Sequence, residues 1–207
     1  MRPFPYKQDS RFALFKKLNS PAKIQDFLNT IPFNFETNGD TCKSPLRTLT
    51  EHSAQCMEGA MLAAAILWYH GERPLILDLR TNKHDFDHVV TLFTRNGLWG
   101  AISKTNHAVL RYRDPVYTSV RELVMSYFHE YFTDDGKKTL VSYSAPYSLL
   151  CFSNDWLIAD EDIWYIPTQL DDSKHIPIAP LSIMKNLRPT DQVEREYGKI
   201  VEWKKKS

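Results

Sequence analysis

Apolar residues recur along this chain first at helical and then at strand spacing. Ser20-Pro21 supplies a cap followed by proline at the first helical position, and Ile24, Phe27, Leu28 and Ile31 follow at helical intervals. This predicts a short amphipathic helix ending near Pro32. Asn34 to Ser44 is polar and contains Asn38-Gly39-Asp40, so it reads as a surface loop before a second helical segment opening at Ser44-Pro45. From Met57, the positions Ala60, Met61, Ala64, Leu67 and Trp68 fill one helical stripe, while Leu62, Ala63, Ala65 and Ile66 fill the other sides. A helix that is apolar all round is buried. Ser53 is read as its N-cap, with Gly71 and Pro74 ending it.

The period then changes. Leu75 to Leu79 is a short apolar strand, and His88 to Arg95 has strand composition. Asn96-Gly97 is a strong two-residue hairpin signal, with Leu98 to Ser103 returning as the partner strand. Ser119-Val-Arg-Glu122 has the form of a capping box, and Val120, Leu123, Val124, Tyr127, Phe128 and Tyr131 carry helical spacing on to Asp134-Asp135-Gly136. Lys138 to Tyr143 and Ile163 to Ile166 are read as further strands, and Asp191 to Trp203 as the last helix. With no repeat and no convincing linker, residues 1–207 are taken as one α+β domain with an N-terminal helical segment and a C-terminal extension.

Composition narrows the function classes. Lys plus Arg total 26 against 25 Asp plus Glu, so no overall basic field recruits nucleic acid. Lys204 to Lys206 is too short a basic run to alter this and reads as a solvated end. The stretch from Ala60 to Tyr69 is too short to span a bilayer, and Met1 to Leu18 lacks the apolar core of a secretory signal. Cys42, Cys56 and Cys151 make neither a disulfide framework nor a paired metal-ligand spacing. These features point to a reducing, cytoplasmic setting, no membrane partner, no metal and no cofactor.

Candidate chemistry centres on Cys56. With Ser53 as N-cap it falls at the third helical position, where unpaired N–H groups and the helix dipole favour a thiolate. The alternative is that a small, commonly buried residue simply packs there. The hairpin offers a base. A two-residue turn pairs Thr94 with Trp99, Leu92 with Ala101 and Val90 with Ser103, all on the face that His88 shares. Ser103 is then the diagonal neighbour of His88 and can bond one ring nitrogen. Thr105 lies opposite His88 if the pairing extends so far, and Asn106 projects from the other face.

The run Cys56-Met-Glu-Gly-Ala-Met-Leu-Ala-Ala-Ala, then Gly71-Glu-Arg-Pro74, the apolar strand, and His88-Val-Val-Thr-Leu-Phe with Gly97-Leu-Trp99 resembles the core of the transglutaminase-like superfamily, distant relatives of papain-like proteases. The resemblance covers Ser53 to Ser103, about a quarter of the chain. It implies a helix beginning at a cysteine packed on an antiparallel sheet, with Cys56 as nucleophile and His88 as base. The family's acid lies a few residues after the tryptophan of the returning strand, where this chain has Ser103. A serine can orient an imidazole but supplies no negative charge for an imidazolium.

The function expected is cysteine-dependent acyl transfer, as peptidase, amidase or transamidase, on a peptide or protein substrate. The backbone N–H of Cys56 and the side chain of Gln55 are the expected oxyanion donors. The competing expectation is a catalytically silent domain of the same fold, used for binding or scaffolding. His84-Asp-Phe-Asp87-His88 lacks the ligand set of a zinc site and reads as an Asp-rich turn. Arg111-Tyr-Arg113-Asp114-Pro115 is read as an internal Arg–Asp fastening. His107, His129 and His175 are assigned structural or surface roles, and Tyr127, Phe128, Tyr131 and Phe132 to the core.

Overall fold

The structure is a computed structural model describing residues 1–202. Asn96 and Gly97 both have positive φ, 53° and 80°, the backbone that a two-residue type I′ turn requires. That turn joins β2 (His88–Arg95) to β3 (Leu98–Ser103), with Thr94 opposite Trp99, Leu92 opposite Ala101 and Val90 opposite Ser103, the register read from the sequence. Pairing ends at Val90 and Ser103, so Thr105 does not reach a position opposite His88. β1 (Leu75–Thr81) lies on the other side of β2. With β4 (Arg113–Tyr117), β5 (Leu140–Ser144), β6 (Tyr147–Ser148) and β7 (His175–Pro177), these form an antiparallel sheet in the order β4-β3-β2-β1-β5-β7, β6 also pairing with β1.

Helices cover both faces. α1 (Pro21–Thr30) and α2 (Pro45–Glu51) begin at Ser20 and Ser44, whose hydroxyls accept the Lys23 and Arg47 backbone N–H groups. α3 (Cys56–Tyr69) is buried along nearly its whole length, as its all-round apolar sequence predicts. It packs on the sheet face carrying Val89 and Phe93, and the Thr91 hydroxyl reaches across to donate to the Ala60 carbonyl at 2.6 Å. Gly59 permits a close approach at the same end: a Cβ there would fall 2.4 Å from Cβ of Lys104. α4 (Val120–Phe128) covers the opposite face, over Leu79, Val90, Leu92 and Ala101. The sheet therefore has a core on each side, an α+β arrangement.

Several boundaries differ from expectation for identifiable reasons. The N-cap of α3 is Gln55, not Ser53, because the Ser53 hydroxyl accepts from Lys43 Nζ at 2.7 Å. Cys56 consequently occupies the first helical position. Ile163 to Ile166 is not a strand. Ile163, Ile166 and Leu170 are buried at helical spacing, and α5 (Tyr165–Asp171) carries Pro167 in its first turn, where a missing N–H costs nothing. α4 stops at Phe128, so Tyr131 lies beyond it in irregular chain. After α6 (Leu181–Met184), the last helix, α7 (Gln192–Gly198), is shorter than predicted; Trp203 and Lys204 to Lys206 lie outside the described residues. Among the described residues no helix is long and apolar enough to cross a membrane.

Candidate active site

The start of α3 is built around one carboxylate. Glu58 is wholly buried and accepts from the Gln55 N–H at 3.0 Å, the Lys43 N–H at 3.1 Å, the Thr41 hydroxyl at 2.7 Å and the Asn34 amide at 3.3 Å. Lys43 Nζ stands 3.7 Å away. This capping box ties the 34–43 loop to the helix start. It also engages both ends of the Gln55 side chain: Oε1 accepts the Met57 N–H, and Nε2 donates to the Thr41 carbonyl at 3.2 Å. Gln55 thus helps to fix the helix start through both polar atoms and keeps one Nε2 proton beyond these bonds, while the N–H of Cys56, at the first helical position, has no acceptor within the helix.

His88 opens β2 and is buried. Its Nε2 lies 2.8 Å from Ser103 Oγ, and that hydroxyl donates its one proton to the Leu110 carbonyl. Ser103 must then accept from His88, so the imidazole carries its proton on Nε2 and keeps Nδ1 as an acceptor. Two further groups hold Ser103 and Leu110. Gln25 of α1 clamps the Ser103 backbone, donating to its carbonyl and accepting its N–H, both at 2.9 Å. Leu110, at φ 59°, gives its N–H to Glu130 at 2.7 Å, and Glu130 is paired with Arg113 at 2.6 Å. The internal Arg–Asp fastening expected of residues 111–115 is made instead by Arg113 with Glu130. Gln25 escaped notice in the sequence although it continues the buried face of Pro21, Ile24 and Leu28.

Cys56 and His88 line one cleft of about 1350 Å³, which Tyr131, Leu110 and Glu36 also border. They enter from different sides, since α3 packs on the Val89 face whereas His88 shares the face of Leu79 and Val90. The sulfur meets the backbone N–H of Val89, the residue after His88. Among the described residues no hydrogen bond joins the Cys56 and His88 side chains.

Burial sets the resting protonation. It pushes the Cys56 thiol up to about 11, against the pull of the Val89 and Met57 N–H groups, with Asp78 and Glu36 adding to the rise. It pushes His88 down to about 4, with His107 contributing in the same direction. At neutral pH the pair rests as thiol and neutral imidazole. Desolvation and the N–H groups at the helix start thus act on the half-buried thiol in opposite directions. Cys42 is buried and raised to about 12, and Cys151 is exposed.

The chain matches no family model and no curated protein.

The other candidates make structural contacts, Asp85, Asp87, Thr105 and His107 at the border of the same cleft. Asp85 accepts the Phe86 N–H and the Thr139 hydroxyl, and Asp87 accepts the N–H and hydroxyl of Thr81, so these acids shape the turn before β2. Asp78, Asp87 and Asp171 converge, with the Arg80 guanidinium 3.7–3.9 Å from all three. His175 bonds Asp78 at 2.9 Å, and the N–H of His107 donates to the Thr105 hydroxyl.

Proposed function

We propose that this chain is a transglutaminase-like, cysteine-dependent acyl-transfer enzyme acting on peptide or protein substrates. Cys56 is the nucleophile, His88 the proton carrier and Ser103 the group that orients the ring. The observation that carries this reading is the hydrogen-bonded series His88–Ser103–Leu110, which leaves Nδ1 as the acceptor of a histidine lining the same cleft as Cys56. Such an imidazole can take the thiol proton as the sulfur attacks.

The neutral resting pair defines the type of catalysis. Proton transfer accompanies attack, as in a serine hydrolase, and does not precede it. Because Ser103 offers no charge to an imidazolium, the proton must move on to the leaving group promptly. Incubation with p-nitrophenyl acetate, followed by peptide mass spectrometry, tests the reading: a thioester on Cys56 is expected, and acetylation confined to other residues refutes it.

The second reading is a silent domain of the same fold that binds or scaffolds. The neutral pair and the absence of a carboxylate at Ser103 favour it. It predicts a Cys56 that is indifferent to His88.

A further inference from the structure

The chain as a whole is nearly neutral, at +1, but the border of the Cys56 cleft is not. Carboxylates reach that border from three stretches of chain: Glu36 and Asp40 from the loop before α2, Asp85 from the turn before β2, and Asp134 from the chain beyond α4. None of these four has an ion-pair partner among the described residues. Three further acids at the border do have one, Asp87 with Arg80 at 3.9 Å, Glu130 with Arg113 at 2.6 Å and Asp135 with Lys137 at 2.6 Å. Of the basic side chains at the border, Lys137 is taken by Asp135, and Lys104 turns its Nζ into the protein toward the Leu28 and Ile31 carbonyls, which leaves Arg195. Four carboxylates against one guanidinium make the cleft negative. No three of the four converge to metal-ligand distances among the described residues, so this charge is spread along the walls and not gathered at a point.

The turn before β2 adds a ring that the fold does not bury. Both neighbours of Phe86 are tied inward, Asp85 to the Thr139 hydroxyl at 2.6 Å and Asp87 to the Thr81 N–H at 2.6 Å. The Phe86 ring between them stands outward at the cleft border, 89% exposed. A phenyl face attracts an organic cation and also covers the alkyl stem that carries it. We infer that the cleft selects its acyl donor by positive charge: the substrate is a peptide with Lys or Arg beside the amide that Cys56 attacks, held by the Phe86 ring and by Glu36, Asp40, Asp85 and Asp134. This inference rests on the acyl-transfer reading and names the substrate class for it. Such a peptide places several cations along an extended backbone, matching carboxylates that come from three stretches of chain. A negative cleft with low-dielectric walls also concentrates a cationic substrate before it docks, an effect that salt removes.

The field is read first without acyl chemistry. Cationic trimethylammonioethyl methanethiosulfonate and anionic sulfonatoethyl methanethiosulfonate are compared for their rates at the half-buried Cys56, with the exposed Cys151 of the same chain as reference. The cation-to-anion ratio at Cys56 should exceed that at Cys151 by about tenfold or more. It should fall toward the Cys151 value in about 1 M salt, where the screening length is about 3 Å. The combined variant Glu36→Gln, Asp40→Asn, Asp134→Asn should lower it in the same way, each change keeping the side chain's shape and removing its charge. The acyl donor is then tested with the p-nitrophenyl esters of γ-butyrobetaine and of its neutral tert-butyl isostere, each rate taken relative to that with free N-acetylcysteine. The cationic ester should acylate Cys56 about tenfold faster or more. Phe86→Ala should cut that preference about two- to fivefold. An acylated Cys56 with no charge preference, or a preference indifferent to salt and to the combined variant, would overturn the substrate class alone. A Cys56 that prefers the cationic thiosulfonate but is acylated by neither ester would overturn the acyl-transfer reading, and the substrate class with it.

Discussion

His88 donates a hydrogen bond from Nε2 to Ser103 Oγ at 2.8 Å, and the Ser103 hydroxyl donates in turn to the Leu110 carbonyl. A serine thus fixes both the tautomer and the orientation of the ring, without the charge a carboxylate would bring. Ser103→Ala should leave the buried Nε2–H unpaired, cost about 1–3 kcal/mol in denaturant unfolding, and slow Cys56 acetylation. Ser103→Asp places a carboxylate against His88 and should raise the His88 pKa from about 4, as followed by imidazole NMR. The new carboxylate also faces the Leu110 carbonyl, so stability should fall as the pKa rises. An unmoved His88 titration would contradict the contact.

Burial of neutral His88 makes stability depend on pH. Its folded pKa is about 4 against an ordinary 6.5, so between those values the unfolded chain binds more protons and stability rises with pH. The contribution is complete above about pH 6.5 and amounts to about 3 kcal/mol. Asp78, which burial raises above the usual carboxylate range, acts oppositely, because its folded form holds a proton that the unfolded form has lost. The wild-type curve therefore mixes two opposing slopes. The difference in unfolding free energy between wild type and His88→Gln isolates the first, and it should grow with pH across this window. A flat difference would mean that His88 is not held neutral by burial.

Glu58 organises the helix start that carries Cys56. Its removal strands the Gln55 and Lys43 N–H groups, while Lys43 Nζ keeps Glu51 at 3.4 Å and the Ser53 carbonyl and hydroxyl. Glu58→Ala should cost about 2–4 kcal/mol in denaturant unfolding, about 1–3 kcal/mol for each buried N–H left without an acceptor. Glu58→Gln, which retains one carbonyl acceptor, should recover part of that loss. Equal stability of Glu58→Ala and wild type would show that the capping box does not hold the loop.

The central hairpin is legible in the sequence because its information is local. Asn96-Gly97 dictates the turn, the turn dictates the register, and the register sets Ser103 beside His88. The N-cap of α3 is not legible in that way. Ser53 is a better cap by composition than Gln55, yet Lys43 claims its hydroxyl, and Glu58 completes the box from within the helix. Tyr131 is a core residue, as its spacing indicates, although the helix that carries that spacing ends at Phe128 and the residue also borders the cleft. The resting state of the thiol lies furthest from the sequence, since helix position favours the thiolate while the opposing push of desolvation comes from the packed surroundings. α5 is a different case: the spacing of Ile163, Ile166 and Leu170 is present in the chain, and the shorter strand-like run within it conceals the helix.

The most direct measurement of whether Cys56 and His88 act together is the rate of Cys56 acetylation by p-nitrophenyl acetate in wild type, His88→Ala and Cys56→Ala, resolved by residue and followed from pH 5 to pH 9. General-base assistance is worth about 10²–10⁴-fold, so His88→Ala should lose a factor of that size near neutral pH. The mutant should regain rate only as the pH climbs toward the ionisation of a thiol raised to about 11. Cys56→Ala should carry no acetyl group in the peptide that begins α3. A His88→Ala profile superimposable on wild type would contradict the catalytic pairing and leave a folded domain whose cysteine and histidine share a cleft without sharing a proton.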